Sequence, residues 1–283
     1  MTYAGTHSSP LYIGIDIGGT NTRIALFETL AAPQCQIIAR FLTSPDYAQQ
    51  MQHIFAALQD MQLLAGIGVS IGARVGEDGR SVTFGPNVPD YIGKPFAQDL
   101  EDRFACPAML AHDAVCGLLG EKKFGSIQHD RQCAYLTVST GTGAAIHLQR
   151  GDVQVTISIE IGHQILDGNT RRCLCGQVGC LETFTGGKQL ELRMGKPLTE
   201  ITDSAFWETY SEKLALGLIN LTQITRVEAV AVSGGIILSR PHLLQRVQHH
   251  IDAWLTSSTL TLRPAVLGEN APLVGAVLLL EGR

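Results

Sequence analysis

His163, Cys173, Cys175 and Cys180 put one imidazole and three thiols into a single short stretch of chain. These are borderline and soft donors, and four of them make a closed tetrahedral set for Zn²⁺ with no open position for hydrolysis, so such a metal would be structural. Only one residue separates Cys173 from Cys175, which is tighter than the usual two to four, and buried or redox-active thiols are the other reading of the cluster. Seven cysteines in all, an odd number, suit no disulfide framework, and Cys35, Cys106, Cys116 and Cys133 read as small core residues.

Glycine-rich turns carry the second kind of chemistry. Asp16-Ile17-Gly18-Gly19-Thr20-Asn21-Thr22-Arg23 joins an acid to glycines, whose backbone N–H groups can come close to phosphate oxygens, and to hydroxyl donors. Its acid suits Mg²⁺ held through water; the alternative is a plain hairpin turn. Ser139-Thr140-Gly141-Thr142-Gly143 repeats this chemistry without the acid, as a loop or a phosphate site. Ser233-Gly234-Gly235 is either a strand-to-helix turn or a place for the flat face of a nucleoside. Asp113 ends an apolar strand, where it is a helix N-cap or the general base that takes a proton from a hydroxyl attacking phosphorus. Asn87, Glu160 and Glu182 lie beside glycine-rich turns and can bind hydroxyls, as many loop residues can.

Periodicity supplies the elements that position these groups. Residues 11–16 read as a strand, 23–27 as its antiparallel return and 37–43 as a third strand; 47–64 has helical spacing, and 66–71 is a buried strand. Loops and hairpins fill residues 72–95. A helix at 96–104, a strand at 108–111 and a helix at 114–123 place Asp113 at a strand-to-helix junction. The grammar then restarts, with a strand at 134–138, a Gly/Thr turn and a return at 144–148. Two related lobes whose phosphate loops face one cleft are therefore expected. A helix at 206–222, a strand at 229–232, a helix near 243–255, a strand at 260–266 and a helix from 272 complete an α/β chain with no linker rich enough to separate independent domains.

The 283 residues are 45% hydrophobic and 17% charged, which excludes disorder and a disulfide-stapled miniprotein. A net charge of -5 argues against a nucleic-acid partner. The longest apolar run, residues 271–280, contains Pro272 and Gly275 and is short of the roughly 20 residues of a membrane span, so no membrane partner is expected. Residues 1–10 are small and polar, without the basic start and apolar stretch of a secretory signal, and a cytoplasmic protein is expected.

In this order, the residues resemble the ROK family of sugar kinases and related repressors, over nearly the whole chain from Tyr12 to Leu279. The resemblance rests on Asp16-Ile17-Gly18-Gly19-Thr20, Pro86-Asn87-Val88-Pro89 and Ser139-Thr140-Gly141-Thr142-Gly143. Most distinctive is Glu160-Ile161-Gly162-His163 followed by Cys173-Leu174-Cys175-Gly176-Gln177-Val178-Gly179-Cys180-Leu181-Glu182. It implies an α/β, two-lobed actin-like ATPase (ribonuclease H-like) fold with a cleft between the lobes. The lobes would be residues 1–113 and 114–283, with a zinc-binding loop at 163–182 and a last helix placed to pack back on the first lobe.

The activity it implies is ATP-dependent phosphorylation of a hexose or N-acetylhexosamine hydroxyl, typically the 6-hydroxyl, with Asp113 as base. Arg74, Asn87, His112, Glu160, His163 and Glu182 would bind sugar. Asp16, Gly18, Gly19, Thr20, Asn21, Thr140, Gly141, Thr142, Gly234 and Gly235 would bind ATP and its phosphates. Mg²⁺ would serve catalysis, and structural Zn²⁺ would sit on His163, Cys173, Cys175 and Cys180, in a homodimer. The chain departs from the family at His112 and Val115, where Asn is usual, in the short β-branched segment 152–159, and in a pruned segment 187–206. Gly72-Ala73-Arg74 resembles the Gly-Gly-Arg of N-acetylmannosamine kinases. Repressors of the family carry an N-terminal winged helix-turn-helix, and the roughly ten residues before the first strand include no amphipathic helix, so a kinase is expected over a repressor. A sugar-binding member that no longer phosphorylates is the other alternative.

Overall fold

Strand β1 (Leu11–Ile17) buries Leu11, Ile13, Ile15 and Ile17 on alternate positions. The computed structural model describes residues 11–61, 63–85 and 88–281. A tight turn sends the chain back as β2 (Asn21–Phe27), antiparallel to β1, and β3 (Gln36–Leu42) pairs antiparallel with β2. Helix α1 (Tyr47–Ala57) buries Tyr47, Met51 and Ile54, and Asp46 caps it by accepting the Gln49 N–H. The helix stops well before residue 64, where the apolar spacing alone would end it. Residues 58–61 form a turn closed by the Met61 N–H on the Leu58 carbonyl, and Leu63 takes a left-handed φ of 57°.

Strand β4 (Leu64–Ile71) follows, then a small hairpin of β5 (Arg74–Val75) and β6 (Val82–Phe84), helix α2 (Phe96–Phe104), strand β7 (Ala108–His112) and helix α3 (Asp113–Phe124). The first sheet has the order β3-β2-β1-β4-β7, with β1, β4 and β7 parallel.

The second sheet opens with β8 (Gln132–Val138), β9 (Thr142–Arg150) and β10 (Val153–Ile159), all antiparallel neighbours. Strand β10 went unread in the sequence although Val153-Gln154-Val155-Thr156-Ile157-Ser158-Ile159 alternates apolar and polar residues; it is an edge strand with both faces mostly exposed. Then come α4 (Glu182–Thr185), α5 (Gly187–Met194), α6 (Ser204–Thr225), β11 (Ala229–Ser233), α7 (Gly235–Ser239), α8 (His242–Trp254), β12 (Thr261–Pro264) and α9 (Ala271–Leu278). The second sheet runs β10-β9-β8-β11-β12, with β8, β11 and β12 parallel. Both sheets thus have the same plan, two antiparallel additions on one side of the opening strand and two parallel ones on the other.

Two compact units result. One takes in the chain up to Gly120 together with the segment from Asn270 on, and the other is Glu121–Glu269. In the first, α9 lies against β1 and β4 at a distance only glycine permits: a Cβ on Gly68 would sit 1.9 Å from the Ala276 carbonyl oxygen, and one on Gly275 would sit 1.6 Å from that of Cys116. In the second, α6 buries Trp207, Tyr210, Leu214 and Leu218 in a core shared with Val230 and Val232 of β11. The buried Glu121 carboxylate accepts the Ser126 and Leu267 N–H groups at 2.8 and 2.7 Å. No helix among the described residues is long and apolar enough to cross a membrane.

Candidate functional site

In the first unit, three parallel strands bring their carboxyl ends to one edge of the sheet, where ligands of open α/β sheets bind. The register sets Asp16 beside Ser70 and Ile71 beside His112, so the ends of β1, β4 and β7 are level. Asp16 Oδ2 accepts from Arg23 Nη2 at 2.7 Å and Nε at 3.2 Å, and Oδ1 accepts from Ser70 Oγ at 2.9 Å. Burial pushes the Asp16 carboxyl above its ordinary range against the pull of Arg23, and the charge of Asp113 adds to the rise. A carboxylate with one oxygen already held by a guanidinium fits a magnesium ion bound through water better than one bound directly.

The turn after Asp16 closes with the Gly18 N–H on the Asn21 carbonyl at 3.0 Å, and Thr43 Oγ1 donates to the Gly18 carbonyl at 2.8 Å. The tip, Gly19, Thr20 and Asn21, is thereby braced while staying exposed. Asp113 is the first residue of α3; its Oδ1 accepts the Ala114 N–H at 2.7 Å and lies 2.9 Å from His112 Nδ1. Arg74, on β5, is exposed with its guanidinium 5.6 Å from the centre of the Phe84 ring.

In the second unit, the register sets Thr137 of β8 beside Ser233 of β11, so the loops after the two strands start together. Gly234 has φ of 99°, and a Cβ there would meet the Val138 carbonyl oxygen at 2.3 Å; only glycine lets this turn fold against the start of the Ser139 loop. That loop is closed by the Ser139 N–H on the Gly141 carbonyl and tied to α5 by the Lys188 N–H on the Thr140 carbonyl. The Thr142 N–H is taken by Glu182 Oε2 at 2.8 Å, and Thr142 Oγ1 pairs with Thr185 Oγ1 at 2.8 Å.

One ring nitrogen of His163 and the sulfurs of Cys173, Cys175 and Cys180 all lie within 4.8 Å of one another. The Cys175 and Cys180 sulfurs are 3.7 Å apart, and Cys173 Sγ is 3.9 Å from His163 Nδ1. Tetrahedral zinc with bonds of about 2.3 Å to sulfur needs sulfurs about 3.8 Å apart, so donor set and spacing both fit the ion. At 3.7 Å the sulfurs are far beyond the roughly 2.05 Å of a disulfide, and all seven cysteines are free thiols. Burial and the neighbouring thiols push Cys180 up to about 12, and burial also raises Cys173. Gly176 and Gly179, at φ of 96° and 95°, let the loop fold around the cluster.

A model of the ROK family matches residues 12–283. The chain belongs to the ROK family. The xylose repressor of Bacillus subtilis is 27% identical over 233 residues, covering 75% of this chain and 60% of the repressor, so the chain spans about 60% of that relative's length. The kanosamine kinase of Amycolatopsis mediterranei is 26% identical over 301 residues, 96% of each chain. A ROK family glucokinase from Streptomyces griseus, solved in complex with glucose and AMPPNP, has a TM-score of 0.77 at 23% identity, covering 95% of this chain and 98% of that one. That likeness gives this ROK protein the two-lobed actin-like ATPase fold.

Among the residues expected to work together, the first unit gathers Asp16, the turn from Gly18 to Asn21, His112 and Asp113. The second gathers Thr140, Gly141, Thr142, Gly234 and Gly235, and separately His163 with its three cysteines and Glu182. Glu160 precedes the short helical turn Ile161–His163 and is exposed. Asn87 and Pro86 lie outside the described residues. Sequence reasoning missed two residues. Gln189 donates to Cys173 Sγ at 3.0 Å and to Glu182 Oε1 at 2.9 Å, linking the ligand loop to the Thr142 loop. No sequence signal marks it, because its partners come from tertiary packing. Ser70 was legible in principle as the polar residue inside the buried run of β4.

Proposed function

We propose that this ROK protein is a cytoplasmic, ATP-dependent sugar kinase that phosphorylates the 6-hydroxyl of a hexose or N-acetylhexosamine. The observation that carries the reading is the placement of Asp113 at the carboxyl end of β7, level with Asp16 at the end of β1. As the sugar oxygen bonds to the γ-phosphorus, its proton goes to Asp113, and the electron pair of the breaking phosphorus–oxygen bond leaves on ADP. Asp16 holds a hydrated Mg²⁺, which supplies charge neutralisation at the phosphates. The N–H groups and hydroxyls of Gly18, Gly19, Thr20 and Asn21, with those of Thr140, Gly141 and Thr142, bind phosphate oxygens. Gly234 and Gly235, which leave a flat surface without side chains, take the nucleoside.

Arg74, Asn87, His112, Glu160, His163 and Glu182 bind the sugar. Zn²⁺ on His163, Cys173, Cys175 and Cys180 supplies rigidity and no catalysis. The chemistry of the donor set and its spacing support this role, and so does Gln189, through which the ligand loop holds Glu182 in place. A homodimer belongs to the same reading, supported by edge strand β10, which leaves Val153, Val155 and Ile157 exposed.

A coupled ADP-release assay over hexoses, hexosamines and their N-acetyl derivatives tests the proposal. Turnover is expected with at least one sugar, and Asp113→Asn is expected to lower it at least about a hundredfold. Equal rates would remove Asp113 from the mechanism. A second reading, a sugar-binding protein without phosphoryl transfer, is favoured by the likeness to the xylose repressor and by His112 and Val115. Sugar binding by calorimetry with no ADP release across the panel would establish it instead.

A further inference from the structure

Helices α6 and α8 of the second unit pack together, with Leu214 and Leu218 of the one sharing a core with Val247 and Ile251 of the other. The same contact gathers three side chains that the proposed kinase chemistry does not use: Glu208 and Glu212 of α6 and His250 of α8. One donor atom of each, two carboxylate oxygens and a ring nitrogen, lie within 4.8 Å of one another. Glu208 and Glu212 stand four residues apart, so the helix sets both carboxylates on one face, where like charges repel.

The neighbouring groups meet only part of that charge. His250 Nε2 lies 2.9 Å from Glu208 Oε1, and Arg246 Nη1 lies 3.6 Å from the other oxygen, Oε2. Glu212 makes no hydrogen bond or ion pair among the described residues, although it is half-buried beside them. The His250 side chain is only 12% exposed and is walled by Trp254, whose ring centre is 5.1 Å from its own, so the imidazole has a fixed place.

An imidazole and two carboxylates from two rigid helices are a donor set for a divalent transition metal: the imidazole suits Zn²⁺, Ni²⁺ and Cu²⁺, and the carboxylates neutralise the ion's charge. Ligands about 2.1 Å from such an ion stand about 3.0 Å apart at a right angle and about 3.4 Å apart at the tetrahedral angle. Nε2 and Oε1, at 2.9 Å, already have that spacing, and the Glu212 carboxylate is within reach of both. An ionised carboxylate only accepts, so without metal the hydrogen between these two atoms belongs to Nε2. An ion bound there takes its place, and the neutral ring then carries its hydrogen on Nδ1.

We propose that Glu208, Glu212 and His250 form a further metal site, which takes a divalent transition-metal ion such as Ni²⁺ or Zn²⁺ and ties α6 to α8, with water completing the coordination. The site shares no residue with the His163 cluster and offers carboxylates where that cluster offers thiols. It stands whether or not the chain is a kinase.

Calorimetric titration of the full chain with Ni²⁺ tests this, in wild type, Glu212→Gln, His250→Ala and His249→Ala. Any ion taken by the His163 cluster is common to all four proteins, so the differences between them report the site on α6 and α8. Glu212→Gln and His250→Ala are each expected to weaken one binding step at least about tenfold, the loss that follows even from removing an outer partner of a metal ligand. His249, whose ring centre is 5.9 Å from that of His250, adds no donor to the cluster, and His249→Ala is expected to bind as wild type does. Ni²⁺ bound alike by wild type and Glu212→Gln would overturn the proposal, and loss in His249→Ala instead would put the ion on the two adjacent imidazoles. Unfolding temperature gives a second readout, because an ion bound only by the folded state raises it. Ni²⁺ is expected to raise it more in wild type than in Glu212→Gln, and an equal rise in the two would also overturn the proposal.

Discussion

A carboxyl group taken out of water resists ionisation, and Asp16 is placed where that resistance is only partly relieved. Arg23 and Ser70 stabilise its charged form, yet burial outweighs them and holds its pKa above the usual carboxylate range. The sign of the pH effect follows. Below the unfolded pKa of about 3.9 both states hold the proton; above it the unfolded chain releases the proton while the folded chain keeps it. Stability from this site therefore declines as pH rises from about 4 through the raised folded value. Urea unfolding of wild type and Asp16→Asn from pH 4 to 7 checks this, with wild type expected to lose ground against the variant as pH rises. A trend in the opposite direction would mean that Arg23 dominates. The motif around Asp16 was legible in its residues, but the partner Ser70 lies in another strand and only the β1–β4 register delivers it.

At the scale of elements, close approach of backbones decides more than side-chain volume. Helix α9 reaches β4 and α3 because Gly68 and Gly275 leave no Cβ in the way. The obstructing atoms are carbonyl groups of packed elements, which cannot swing aside as a side chain could. Gly68→Ala is expected to cost about 3 kcal/mol in stability, and Gly275→Ala the same or more, read as a fall in the denaturant midpoint. A midpoint unchanged within error would show that α9 can slide outward freely. Neither glycine is marked in the sequence beyond its identity, since Gly68 sits in an ordinary strand pattern and Gly275 interrupts an apolar helix. The overlong reading of α1 and the omission of β10 have related causes. Apolar spacing continues past the residue where the backbone turns, and the alternation of β10 ends in an edge strand that buries neither face, so pattern and burial disagree in both.

For the molecule as a whole, each unit is one copy of the same sheet plan, with glycine-containing loops at the carboxyl ends of its parallel strands. The second unit also builds its loops around the His163–Cys180 cluster, which is stitched to the Thr142 loop through Gln189 and Glu182. Elemental analysis is expected to find about one zinc per chain, and a strong chelator is expected to lower the unfolding temperature, because metal bound only by the folded state adds to its stability. A zinc-free protein of undiminished stability would reduce the cluster to packing. Sedimentation of the same sample checks the dimer, and a monomer at every concentration would remove it.

By itself the sequence determined the chemistry on offer. Its acids, glycines, thiols and imidazole, in their order along the chain, identify the ROK family and the α/β elements, because glycine turns and hydrophobic periodicity are local properties. Only the tertiary structure decided which of these groups meet. Asp16 beside Ser70 and Gln189 between a thiol and a carboxylate both depend on strand register and helix placement. Those are set by burial summed over a whole core, a quantity no short stretch of sequence carries.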